Sequence, residues 1–299
     1  ETACASSSVA LNQALNSLKD SNNIMVIGAE KMTGTKLMAP TDAIAMAGDH
    51  ENDYENGLIF PASYALIAQQ YMKKYNISHE VLEKISFINH KNANLNPLAH
   101  FYHKEVTMDI IKNSPMIASP LNLFDCSPIS DGAVAVIISG LKKSDRDIKI
   151  ISSHIATDTI SLTQRKDLTS FSASKIASSK VYKESNLSPR DIDVLEVHDC
   201  FTISEILALE DLGFCGPGEA PQMIERDEIL ISGSIPVNTD GGLKANGHPI
   251  GATGLAQIFE LVIQLRLEAG RRQVDNPEIG LAQNIGGVGG TCGITLLGI

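Results

Sequence analysis

No stretch of this chain reaches the ~18 consecutive apolar residues that a membrane-spanning helix needs. Nor does the opening Glu1-Thr2-Ala3-Cys4 carry the basic and then apolar pattern of a signal peptide, so a cytoplasmic protein is expected. Positive charge is also scarce. The sequence has 24 Lys and Arg against 35 Asp and Glu, a net charge of −11. That balance argues against general affinity for nucleic acid or anionic membrane. It leaves room for an anionic ligand at local Lys or Arg or at helix N-termini. Cysteines are few: Cys4, Cys126, Cys200, Cys215 and Cys292. The odd count, with no Cys-x-x-Cys pair, argues against a disulfide framework and against a structural zinc site. A reducing compartment fits, and no metal is expected.

What is present is ordinary for a soluble globular protein: 43% hydrophobic and 20% charged over 299 residues, enough for one large domain or two ordinary ones. Val9, Leu11, Ala14, Leu15 and Leu18 share a face and predict a helix over 5–18, with Cys4 at its N-terminus. The apolar run Asn23 to Gly28 predicts a buried strand. Helix followed by strand suggests α/β layering. Residues 30–120 lose this periodicity and read as an insertion of loops and short helices. Phe60-Pro61 opens a helix through about Tyr75, Ser78 caps another over 79–85, and 89–101 is polar and broken by proline. Then come a buried strand ending near Ser139, a charged link over 142–149 and a buried strand over 148–154. A helix end over 185–190 leads to a strand over 192–197 and a helix over 202–212. Residues 236–254 read as loop and 255–269 as a long helix. Strands over 279–284 and 292–297 flank a glycine turn. The helix after Cys4 and the helix after residue 254 each lead into a strand, a weak echo that suggests a duplicated architecture with the active site between halves.

The most informative stretch is Gly247-His248-Pro249-Ile250-Gly251-Ala252-Thr253-Gly254. Glycine and proline hold a stiff turn that lets backbone approach a substrate, and the helix that follows puts N–H groups beside His248. Taken alone it reads first as a helix-capping turn with a solvent-facing histidine. Cys4 is the best nucleophile candidate, because a helix N-terminus favours thiolate over thiol. The plain alternative is a small buried residue. His198-Asp199-Cys200-Phe201 follows a strand, where α/β sheets place ligand crevices. Its readings are a His/Cys proton-handling pair, a metal site with Cys215, or a turn in which Asp199 caps the next helix. The loop Asn284 to Gly290 is a phosphate cradle, a close approach to a substrate oxygen, or a plain hairpin.

Together these motifs resemble the thiolase superfamily. The resemblance rests on Ala3-Cys4-Ala5-Ser6-Ser7, Gly28 to Met32, Ser130-Asp131-Gly132-Ala133, the block Asn238 to Gly254 and the loop from Asn284. His198 to Phe201, with Asn284 where ordinary thiolases carry a cysteine, looks like the sterol-carrier-protein-type and archaeal acetoacetyl-CoA thiolases. Phe60-Pro61, Asn96-Pro97 and Gly270 to Val274 lean to the archaeal type. The resemblance implies an α/β thiolase fold of two βαβαβ-type halves in an α/β/α/β/α arrangement. The halves would span 1–141 and 142–299, with a loop domain over about 30–120. It also implies leading strands before Cys4 that this sequence does not contain. The implied reaction is condensation of two acetyl-CoA to acetoacetyl-CoA, or its reverse, through an acetyl-Cys4 intermediate; the alternatives are a 3-ketoacyl-CoA thiolase on longer chains, a ketoacyl synthase of the same fold, and a non-catalytic subunit that binds acyl-CoA. His248 takes the Cys4 proton, Cys200 handles the second proton, and His198 helps His248 hold the thioester oxygen. The N–H groups of Cys4 and Gly286 form an oxyanion hole, with Gly247 and Gly287 against substrate. Cys292 is read as a strand residue. Coenzyme A is substrate, with no tightly bound cofactor. The implied partners are further copies in a dimer or tetramer, and hydroxymethylglutaryl-CoA synthase through a zinc-ribbon/OB-fold scaffold protein.

Overall fold

The structure, a computed structural model, describes residues 1–34 and 38–299. The expected insertion includes 35–37, which lie outside the described residues. The chain runs α1 (Ser6–Ser17), β1 (Asn23–Glu30), α2 (Met38–Ala45), α3 (Phe60–Tyr75), α4 (Glu80–Ala93), α5 (Met108–Lys112), β2 (Met116–Ala118), β3 (Leu121–Asn122) and β4 (Gly132–Ser139). It continues β5 (Lys149–Thr157), α6 (Ser172–Ser185), β6 (Val194–Glu196), α7 (Thr202–Asp211), α8 (Ala220–Glu225), α9 (Gly242–Ala245), α10 (Thr253–Leu265), β7 (Ile279–Gly286) and β8 (Thr291–Gly298). β1 pairs antiparallel with β4. β2 and β3 form a small antiparallel pair of their own, and the second main sheet has the order β5-β8-β7-β6, with β6 parallel to β7 and the other pairs antiparallel. The result is the expected α/β protein.

α10 is the centre of the packing. It lies on β7 and touches α1, β1 and β4. Leu255, Ile258, Leu261 and Leu265 form its apolar face and join Leu11, Val26, Ile138 and Leu297 in one cluster that links the two sheets. Each such side chain contributes about 1.5–3 kcal/mol when fully buried. The helix also buries polar residues. Gln257 donates to the Gln283 carbonyl at 2.9 Å, and Glu260 pairs with Arg272 at 3.0 Å.

α10 and α1 meet at their N-termini with little between them. A Cβ on Gly254 would stand 2.7 Å from the Ser8 nitrogen and 2.6 Å from Asn284 Oδ1. The Leu255 N–H donates to Ser7 Oγ at 3.1 Å. Gly28 on β1 is as tight: its Cβ would meet the Gly251 carbonyl at 2.6 Å. This close approach needs small residues and sets the separation of the two segments that precede the helices.

Four sequence expectations need correction. The strands expected to be buried at 23–28 and before Ser139 are covered on one face only. Met25, Ile27 and Ile137 are 59%, 62% and 70% exposed, because β1 and β4 pair only with each other among the described residues. The insertion is less loop-like than its composition suggests. α4 runs on to Ala93, through residues read as loop, because its asparagines find buried partners: Asn89 donates to Asp199 and Glu205, and Asn92 to the Asn238 carbonyl. The span 236–254 contains a helical turn, α9, whose N–H groups at Leu243 and Lys244 donate to Asp199. Asp199 thus caps α9 rather than the helix that follows it in sequence. α10 ends at Leu265, four residues early, where Leu267 adopts φ 58°.

Gly254→Ala is therefore expected to destabilise the fold by about 1–3 kcal/mol, since the nearest obstacles include backbone. Thermal or urea unfolding checks this, and an unchanged midpoint would refute the close-approach account.

Candidate active site

Cys4 sits on a tight turn just ahead of α1. Ala3 has φ 51°, a left-handed conformation that costs an L-residue on the order of 1–2 kcal/mol. Local hydrogen bonds hold it there. Ala5 N–H donates to the Thr2 carbonyl at 3.1 Å, and Ser6 donates to the Ala3 carbonyl through its N–H at 3.0 Å and its hydroxyl at 2.6 Å. The turn projects Cys4 into a cavity of about 810 Å³, whose wall includes Glu30, Lys31, Ile44, Met46 and Gly287. Sequence position suggested a thiolate. The structure corrects this: burial pushes the Cys4 thiol up to about 12, and the N–H groups of Gly287 and of Cys4 itself offset only part of that rise.

His248 is placed by the Ser130-Asp131-Gly132 segment. Its backbone N–H donates to Ser130 Oγ at 2.7 Å. Asp131 accepts the N–H groups of Met32 and Thr33 at 2.7 and 2.8 Å and pairs with Lys31, fixing the end of β1 against the start of β4. Gly132 leaves room for Pro249, whose Cγ would lie 2.7 Å from a Cβ there. Glu30 accepts the Gly251 N–H at 3.1 Å. Gly247 has φ 126°, which only glycine adopts without strain.

The hydrogen bonds also select the His248 tautomer. Thr253 Oγ1 lies 2.7 Å from His248 Nδ1 and donates its only hydrogen to the Pro249 carbonyl at 3.0 Å. With its hydrogen on that carbonyl, its oxygen accepts from Nδ1–H, which leaves Nε2 with a lone pair. Burial lowers the ring to about 4, so it is neutral at physiological pH.

His198 follows β6 and stands edge-on to His248, with ring centroids 5.1 Å apart and planes at 85°. The Asn284 amide lies 3.2 Å from its Nδ1, while Nε2 is buried and has no partner among the described residues. Burial and the neighbouring His248 hold this ring well below the usual histidine range. The Cys4 sulfur and a ring nitrogen from each histidine all lie within 4.8 Å of one another.

Cys200 is adjacent but outside this trio. It is buried against the large core, with Sγ 3.9 Å from Ser204 Oγ. Burial and the nearby Cys4 push its thiol up, and the Tyr64 hydroxyl pulls it down. Gly287, at φ 64°, turns its N–H to the Cys4 sulfur and accepts the Tyr64 hydroxyl at 3.0 Å through its carbonyl. Gly286 closes on the N-terminal turn, where a Cβ would stand 2.4 Å from the Thr2 carbonyl. Cys215, weighed as a metal partner for His198 and Cys200, lies instead beside Glu210, Glu219 and Glu228. Cys292 is a buried residue of β8, as expected. The sequence reading assigned no role to Tyr64, Ser130 or Thr253. Thr253, at a helix start five residues from His248, and Ser130, inside a motif of the resemblance, carried a usable signal; Tyr64 did not.

The Cys4 turn, the His248 loop, the His198 strand end and the last glycine loop thus share one centre, and comparison with known proteins agrees. Residues 1–141 match the family described as thiolase, N-terminal domain, and residues 155–299 match thiolase C-terminal domain-like. The chain is 47% identical over 300 residues to acetyl-CoA acetyltransferase of Methanothermobacter thermautotrophicus, covering 98% of this chain and 78% of that protein. It is 34% identical over 313 residues to human sterol carrier protein 2, covering 98% of this chain and 56% of that protein. The solved structure of the Ltp2-ChsH2(DUF35) aldolase superposes with a TM-score of 0.85 at 26% identity, covering 99% of this chain and 78% of that one. Residue motifs, geometry and relatives converge on one conclusion: the chain belongs to the thiolase family, has its fold and is an acyltransferase.

Proposed function

We propose that the chain condenses two acetyl-CoA to acetoacetyl-CoA and CoA, or runs the reverse thiolysis, through an acetyl-Cys4 intermediate. The observation that carries this reading is the cluster of a buried thiol and two neutral imidazoles within 4.8 Å, with the thiol opening on the cavity. The similarity to acetyl-CoA acetyltransferase supports the acetyl group as the acyl unit.

In the first half-reaction Cys4 Sγ attacks the acetyl carbon. A thiol with so high a pKa needs a base, and the lone pair at His248 Nε2 supplies it. The imidazolium then returns that proton to the departing CoA sulfur. The acetyl oxygen develops negative charge near the N–H groups of Cys4 and Gly286, the proposed oxyanion hole. In the second half-reaction another acetyl-CoA binds with its thioester oxygen on the Nε2–H of His198, whose Nδ1 accepts from the Asn284 amide, beside His248 and with Gly247 and Gly287 against it. Cys200, acting as thiolate, takes its α-proton. The carbanion attacks the acetyl carbon, and the proton passes to the departing Cys4 sulfur. Its raised pKa makes the Cys200 thiolate rare at rest but a strong base when formed, which suits a weak carbon acid.

The wider reading includes a dimer or tetramer and an assembly with hydroxymethylglutaryl-CoA synthase through a zinc-ribbon/OB-fold scaffold, feeding a mevalonate-type route in the cytoplasm. A neighbour solved as an aldolase with a DUF35 component is a precedent for a chain of this fold working with a second protein. The same neighbour favours a second reading, a carbon–carbon lyase that forms no acyl-enzyme.

Radiolabelled acetyl-CoA followed by peptide mapping separates the two: label on Cys4 is expected, and turnover without label would refute acyl transfer. Cys200→Ala should still take up label but lose condensation by about 10²–10⁴-fold. Condensation at the wild-type rate would remove Cys200 from the mechanism. His248 must be neutral to act as base and protonates only near 4. Acylation of Cys4 should therefore hold steady as pH falls from about 8 to about 6, where a histidine of ordinary pKa near 6.5 would already be mostly protonated. An inflection near 6.5 would contradict the assignment.

A further inference from the structure

The side chains gathered around Cys4 are also three-quarters of a tetrahedral soft-metal site. A thiol sulfur and two imidazole nitrogens lie within 4.8 Å of one another, and all three residues are buried. Cys and His are the ligand types that zinc prefers, and a three-ligand site keeps its fourth position open. Metal–ligand distances of about 2.0–2.3 Å put tetrahedral donors roughly 3.3–3.8 Å apart. Closing the trio around an ion therefore shortens the donor separations by up to about 1.5 Å, shared among the three side chains.

We propose that Cys4, His198 and His248 bind a zinc-like divalent cation, and that the bound ion silences the nucleophile. Occupancy rests on these three side chains alone. The silencing rests on the acyl-transfer reading above.

Metal binding needs a lone pair on each histidine and a second partner that fixes each ring. His248 meets both conditions as it stands, since Thr253 accepts from Nδ1–H and leaves Nε2 open. His198 meets them after one local change. Among the described residues its Nε2 is buried without a partner, and so is Asn284 Oδ1, whose amide nitrogen lies against His198 Nδ1. Turning that amide over puts Oδ1 on Nδ1–H and moves the lone pair to Nε2. The rotation gives the carboxamide oxygen the partner that the amide nitrogen gives up, and it arms the imidazole. The metal takes the sulfur as thiolate, and the Cys4 proton leaves to solvent. Glu30 lines the same cavity and offers nearby negative charge to the cationic centre. The fourth position is left to water from the cavity that Cys4 lines. An ion so placed holds the sulfur lone pair that acyl transfer requires and the Nε2 that would take its proton.

The probe is Co²⁺ added to the metal-free full chain. A near-ultraviolet sulfur-to-cobalt charge-transfer band and the intense visible bands of tetrahedral cobalt are expected, saturating at one ion per chain and bleached by Zn²⁺. Cys4→Ser should abolish the charge-transfer band. Asn284→Ala, which removes the second partner of His198, should weaken binding by about 10–100-fold. Circular dichroism confirms that each variant is folded, and His198→Asn serves if Asn284→Ala is not. Absence of the band in the wild type, or its survival in Cys4→Ser, would overturn the site. Saturating Zn²⁺ should also block acetyl labelling of Cys4, with recovery on chelation. Labelling that proceeds at full rate in the loaded protein would overturn the silencing. Cobalt bands in a chain that never takes up label, even metal-free, would leave the site standing and sink the acyl-transfer reading instead.

Discussion

The arrangement depends on how closely the starts of α1 and α10 approach. Gly254 lies over Ser7 and Ser8 where no side chain fits, and the Leu255 N–H is satisfied by Ser7 Oγ. One helix carries Cys4 on the turn before it, and the other carries His248 on the loop before it. Fixing the two N-termini fixes the nucleophile against its base. The glycines and serines in these motifs are steric requirements as much as chemical ones. The apolar face of α10 supplies the stability that keeps the helices in place, by tying together elements from both sheets.

Burial then decides the resting chemistry. A helix N-terminus lowers a thiol pKa when the thiol is near solvent. At Cys4 the loss of solvent is the larger effect, and the thiol is held near 12. The same burial holds His248 near 4, so the pair rests neutral rather than as thiolate and imidazolium. Thr253 sets the His248 tautomer so that the lone pair remains at Nε2. The centre is therefore inert until an acyl group makes proton transfer worthwhile. The same property leaves two neutral imidazoles for a soft cation, which would take the Cys4 sulfur as thiolate.

The sequence was most legible where periodicity or glycine chemistry is strong. α1, α3 and α7 fall within a residue of expectation, and the four clustered motifs meet as the resemblance implies. It was least legible where long-range partners override local propensity. Asn89 and Asn92 look like loop residues until Asp199, Glu205 and the Asn238 carbonyl are seen to satisfy them inside a helix. The exposure of Met25, Ile27 and Ile137 depends on what covers a sheet face, which an apolar run cannot report. Tyr64 and Ser130 reach the site from distant segments through side-chain hydroxyls bonded to the backbone of Gly287 and His248, and no spacing rule anticipates those.

The central claim is that Cys4 and His248 form a neutral pair whose tautomer is set by Thr253. Nitrogen-15 NMR of histidine-labelled protein tests it most directly. The account requires His248 to appear as the neutral Nδ1–H tautomer at pH 7 and to remain so until the pH approaches its lowered pKa. A doubly protonated His248 ring at pH 7, the mark of a thiolate–imidazolium pair, would contradict it.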